Sequence, residues 1–86
     1  MSVQVTSSNP ASFSWNTVSD SSGLTYHVLI VTANEKIIHW SEMFVPENSF
    51  TLPISLEAGN YKFKVRAIDN KGNFGQWSPW SVFNVN

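Results

Sequence analysis

Between Gly59 and Ile68 the chain alternates apolar and polar residues at every step. Tyr61, Phe63, Val65 and Ala67 fall on one side, and Lys62, Lys64 and Arg66 on the other. A period of two is the mark of a β-strand with one dry face. The same reading predicts strands at 2–5 (SVQV), 11–15 (ASFSW), 24–32 (LTYHVLIVT), 36–40 (KIIHW), 49–53 (SFTLP), 59–68 and 80–85 (WSVFNV). Turn-forming clusters recur about every ten residues between them: SSNP, DSSG, ANEK, PEN, EAGN and DNKGN. Short strands at that spacing, with no sustained 3.6-residue period, predict an antiparallel sandwich.

Face assignment yields a core. Tyr26, Val28 and Ile30 form one stripe of the third strand, with His27, Leu29 and Val31 behind it. Phe83 and Val85 face one way in the last strand, and Trp80, Val82 and Asn84 the other. The expected core is Phe13, Trp15, Tyr26, Val28, Ile30, Leu52, Tyr61, Phe63, Val65, Phe83 and Val85.

Composition narrows the picture. A chain of 86 residues is expected to form one domain, residues 1–86. With 42% hydrophobic and 14% aromatic residues it can build a core without staples. The net charge of -1 offers no basic stripe for nucleic acid. The absence of cysteine excludes disulfides and thiol chemistry. No apolar run approaches the ~20 residues of a spanning helix, so no membrane insertion is expected.

Candidate chemistry is sparse. His27 and His39 stand on different strands, without ligands at metal spacing, and read as surface or edge histidines. Asp20 and Asp69 read as turn residues. DNKGN lacks the oxygen run of a calcium loop. No serine lies in a G-x-S-x-G elbow. Glu35, Glu42, Glu47 and Glu57 are scattered among strand ends and turns. No catalytic residue, cofactor or metal is expected, and the chain is not expected to be an enzyme.

Over nearly its whole length the chain resembles a fibronectin type III domain, an immunoglobulin-like sandwich of seven antiparallel strands in two sheets. The resemblance rests on Trp15 in the second strand, Tyr26 two before Val28 in the third, the lack of cysteine, and ISLEAGNYKFKVRA, where Leu56 and Tyr61 match the family's tyrosine corner. There a buried tyrosine returns its hydroxyl to a backbone group that the crossing chain leaves unpaired. WNTVSDSSGLTYHVLIVT and RAIDNKGNFGQWSPWSVFNV are similar to modules of secreted bacterial or archaeal proteins.

Trp77-Ser78-Pro79-Trp80-Ser81 also resembles the WSxWS box of class I cytokine receptors. The resemblance implies outward tryptophans interleaved with the basic residues three and five places after the tyrosine, here Lys64 and Arg66. The face assignment agrees, since Trp80 falls on the cationic side. Lys64, Arg66, Trp77 and Trp80 are thus expected to form a cation–π ladder. The ladder either staples the last strand to its neighbour or offers an aromatic platform. A second candidate surface comprises Leu29, Val31, Ile38 and Trp40, unless Trp40 instead folds over the core margin.

The family resemblance implies a non-catalytic spacer, display or protein-interaction module of a secreted or cell-surface protein, cut from a longer multidomain chain. Its partners would be neighbouring domains and protein or glycan ligands, and it would be a monomer. Two alternatives stand beside this: a carbohydrate-binding accessory module of a secreted glycoside hydrolase, using exposed tryptophans, and a cytokine-receptor-like ligand-binding domain.

Overall fold

The computed structural model describes residues 2–6, 10–16 and 24–85. The turn cluster at 20–23, with Asp20, and most of that at 7–10 lie outside the described residues. Seven strands run in the order β1 (Val3–Thr6), β2 (Ser12–Trp15), β3 (Leu24–Thr32), β4 (Ile38–Val45), β5 (Ser49–Thr51), β6 (Gly59–Asp69) and β7 (Ser81–Val85). No helix occurs among the described residues. One sheet has the order β1-β2-β5 and the other β4-β3-β6-β7, and all pairs are antiparallel. The fold is an all-β sandwich of two antiparallel sheets.

The longest pairing explains why β6 alternates so strictly. Nine consecutive residues of β3 face nine of β6, from Leu24–Asp69 to Thr32–Tyr61. Both strands are central in their sheet, so one side of each faces the other sheet and cannot carry charge. All eleven residues expected in the core are buried. Ala11, Val45 and Leu56 complete the cluster.

Aromatic rings set the spacing between the sheets. Phe13 of β2 stacks on Phe63 of β6 with ring centres 4.1 Å apart and planes 8° from parallel. Phe83 meets Phe13 edge-on at 5.3 Å, and Trp15 meets Tyr26 edge-on at the same distance. Such pairs add about 0.5–1.5 kcal/mol each beyond the area they bury.

The fourth strand differs from expectation. It begins two residues later and continues through Val45, so Met43 and Phe44 lie within it rather than beyond it. Its pairing with β3 shifts register twice, between Ile30 and Val31 and again between Tyr26 and Val28. At each shift β4 has one residue more than β3, which is a β-bulge. Phe44, in the second bulge, holds φ at 62°, a left-handed conformation that few bulky residues adopt. Each shift reverses the facing of the residues that follow.

The described ends lie at opposite poles. Val3 pairs with Trp15, whose ring packs on Tyr26, and Tyr26 pairs with Val45. Val85 pairs instead with Gly59, at the pole where Thr32 pairs with Tyr61. The body between them measures 40 × 22 × 20 Å.

Candidate functional site

The outer face of the four-stranded sheet carries the densest side-chain chemistry. On β6, Lys62, Lys64 and Arg66 project from it at every second residue. Beside them runs the segment 74–80, which follows β6 without forming a regular strand. Ile68 bridges to Phe74, the Gly75 amide donates to the Ala67 carbonyl at 2.9 Å, and the Ser78 amide donates to the Val65 carbonyl at 2.8 Å. Ser78 is buried, and its hydroxyl oxygen accepts the Val65 amide at 3.0 Å. A side chain thereby stands where a neighbouring strand would supply a carbonyl.

Along this segment the aromatics recur every third residue: Phe74, Trp77 and Trp80. Three is the repeat of an extended left-handed chain, the conformation Pro79 favours. The cations opposite repeat every second residue, a rise of about 6.7 Å.

The result is one continuous stack. The Arg66 guanidinium lies 3.9 Å from the Phe74 ring centre and 4.3 Å from that of Trp77. The Lys64 ammonium lies 4.5 Å from Trp77 and 4.4 Å from Trp80. The Lys62 ammonium lies 4.6 Å from Trp80 and closes the series with an ion pair to Glu35 at 3.0 Å. Glu35, in the β3–β4 turn, reaches it from a left-handed backbone conformation with φ 63°.

The structure brings Lys64, Arg66, Trp77 and Trp80 together, and it adds three members that sequence reasoning left out. Lys62 shares the face by simple alternation. Phe74 extends the three-residue spacing of the tryptophans by one step, a signal present in the sequence. His27, read as a surface or edge histidine, comes from the opposite side and leaves no local signal. Its ring centre is 4.9 Å from that of Trp77 and 6.4 Å from that of Phe74.

His27 is half-buried beside Arg66, its cross-strand partner. Arg66 Nε donates to His27 Nδ1 at 3.2 Å. That fixes the neutral tautomer, with the proton on Nε2, which lies 3.1 Å from Ser41 Oγ. Burial lowers the His27 pKa below its ordinary value, and the charges of Arg66 and Lys64 lower it further.

The tyrosine-corner residues lie at the far pole. The Tyr61 hydroxyl donates to the Glu57 carbonyl at 2.6 Å, and Leu56 is buried in the core cluster beside this crossing.

Of the second expected surface, Ile38 joins Val31 on the outer face, while Trp40 takes the other place weighed for it, at the core margin. Leu29 and Val31 are expected on the non-core face of β3, where Trp40 or Ile38 would join them in an apolar patch. The register shift at Ile30–Val31 turns Trp40 and Ile38 to opposite faces. Trp40 pairs with Ile30 and packs against the core, its indole donating to Glu42 Oε1 at 3.2 Å. Ile38 pairs with Val31 on the outer face. Val31 is buried, Leu29 half-buried, and only Ile38, 66% exposed, stands in the open.

Turn chemistry accounts for the DNKGN segment. The Asp69 carboxylate accepts the Lys71 and Asn73 amides, both at 2.9 Å, and the Asn73 side-chain amide at 3.1 Å. These bonds lower its pKa, the Asn73 contacts foremost. Among the described residues no three His, Asp or Glu side chains are grouped as a metal site would require. The sequence matches no protein-family model and no curated protein.

Proposed function

We propose that the chain is a non-catalytic module of the fibronectin type III kind, which spaces and orients neighbouring parts of a secreted or cell-surface protein. The observation that carries this reading is the placement of its first and last strands, with Val3 and Val85 at opposite poles of a body 40 Å long. A chain entering at one pole and leaving at the other adds its own length to whatever it connects. The three-plus-four strand order and the hydroxyl of Tyr61 at its corner support the family assignment.

The stack supports a structural role over a glycan platform. Trp77 lies between Lys64 and Arg66, and Trp80 between Lys62 and Lys64. A sugar ring needs a free aromatic face, and these faces are taken. At the N-terminal pole, a hollow of about 260 Å³ is lined by Ser2, Gln4, Ser14, Trp15, Asn16 and Asn48. That lining offers hydroxyls and amides but no acid–base pair.

Two copies joined in tandem by a short linker test the reading through small-angle scattering. The maximum dimension is expected to approach twice that of one copy. A pair that folds back to the length of one removes the support for a spacer. Calorimetric titration with a panel of polysaccharides is expected to show no binding. Binding that Trp80→Ala abolishes without lowering Tm would establish the carbohydrate-binding alternative instead.

A further inference from the structure

We propose that His27 makes the outer-face stack responsive to acid: protonation of its ring at mildly acidic pH expels the Arg66 guanidinium from between Phe74 and Trp77 and loosens residues 74–80 from β6. The argument begins with the hydrogen bond. Arg66 Nε can donate to His27 Nδ1 only while that nitrogen holds a free lone pair. Protonation replaces the acceptor with a second donor, so two N–H groups and two positive charges then face each other at 3.2 Å.

The surroundings give the imidazolium no relief. On β6 its neighbours are Arg66, directly opposite, and Lys64. From β4 comes the Ser41 hydroxyl, while the Glu42 carboxylate accepts the Trp40 indole. From the 74–80 segment come the uncharged rings of Phe74 and Trp77. In the adjoining turn Lys71 is exposed, and the Asp69 carboxylate is held by the Lys71 and Asn73 amides. Among the described residues no carboxylate bonds to His27.

Arg66 is also what joins the upper half of the stack. It is the cation between Phe74 and Trp77, and its departure removes both contacts together. Near Phe74 and Trp77 the segment is then held to β6 by the Gly75 and Ser78 amides, the Ser78 hydroxyl, the Ile68–Phe74 bridge and the Lys64 contact to Trp77.

The sign follows from linkage. The closed form holds the His27 pKa below the ordinary 6.5, through burial first and then the charges of Arg66 and Lys64. The opened form, with an ordinary pKa, therefore binds the proton more tightly. The stack is at full strength above pH 6.5 and weakens as pH falls from 6.5 toward the depressed closed-form value. Within that window the opening equilibrium rises by up to about tenfold per pH unit.

Amide hydrogen exchange on the 86-residue protein at pH 7.5, 6.5 and 5.5, corrected for intrinsic rates, tests this. Protection of Gly75 and Ser78 is expected to fall on acidification by up to about tenfold per unit, while amides of the β3–β6 ladder hold theirs. His27→Gln, which cannot titrate, is expected to abolish the fall, and His39→Gln to preserve it. Constant protection in the wild type overturns the proposal. So does an equal fall in His27→Gln, or an equal loss throughout β3 and β6. Should His27→Gln fail to fold, the wild type still decides. The fall in protection must level off at the pH where NMR titration of the His27 Cε1 proton has its midpoint, because both report the closed-form pKa, and a plateau elsewhere overturns the assignment.

Discussion

Arg66→Ala is the sharpest probe of the stack. The substitution leaves β6 intact, since alanine is tolerated in a strand, but removes three interactions at once. Two are cation–π contacts, to Phe74 at 3.9 Å and Trp77 at 4.3 Å. Contacts of this kind contribute about 0.5–1 kcal/mol at exposed sites and more when desolvated. Arg66 is half-buried, which favours the upper part of that range. The third is the bond from Nε to His27, with a net contribution of about 0.5–1.5 kcal/mol. Together the loss is expected to be about 2–3 kcal/mol. For a domain of this size each kcal/mol lowers Tm by about 4–8 °C. Arg66→Lys retains the charge but not the planar group or the Nε–H, and should lose roughly half as much. Urea denaturation at pH 7, followed by circular dichroism and tryptophan fluorescence, measures both. A loss below about 0.5 kcal/mol is the usual result for an unremarkable surface position. Were Arg66→Ala to fall there, with an unchanged denaturant slope, the stack would be geometry without energetic consequence.

Substitutions at four further positions test other parts of the argument. Ser78→Ala leaves the buried Val65 amide without its hydroxyl acceptor and should lower stability by about 1–3 kcal/mol in the same urea assay. Tyr61→Phe keeps the ring in the core but strips the Glu57 carbonyl of its donor, for an expected loss of about 1–2 kcal/mol in urea. At Phe44, Gly relieves the positive φ and should be nearly neutral, whereas Val, whose branched Cβ resists that conformation, should lower Tm further than Gly does. Asp69 supplies an acid-side effect. Its folded pKa is depressed, so its contribution is present above the ordinary 3.8 and is lost as pH falls through the folded value. Thermal melts from pH 6 to 2 should show this dependence in the wild type and a shallower one in Asp69→Asn.

Much of this molecule is legible without coordinates. Alternation in β6 and β3 identified the buried residues because each is a long central strand with one dry side, a constraint that acts on every second position. The same alternation put Lys62, Lys64 and Arg66 on a common face with Trp80, and the three-residue spacing of Phe74, Trp77 and Trp80 was there to be extended. What required the tertiary structure was any feature set between strands rather than along one. The bulges in β4 are one such feature. A residue inserted against β3 reverses facing, so Trp40 turns to the core while Ile38, two positions earlier, turns away from it. His27 is another, being 39 residues from Arg66 in sequence and hydrogen-bonded to it in space. Sequence periodicity records which side of a strand is dry. It does not record register, because register depends on the backbone pairing of two segments and on where that pairing slips.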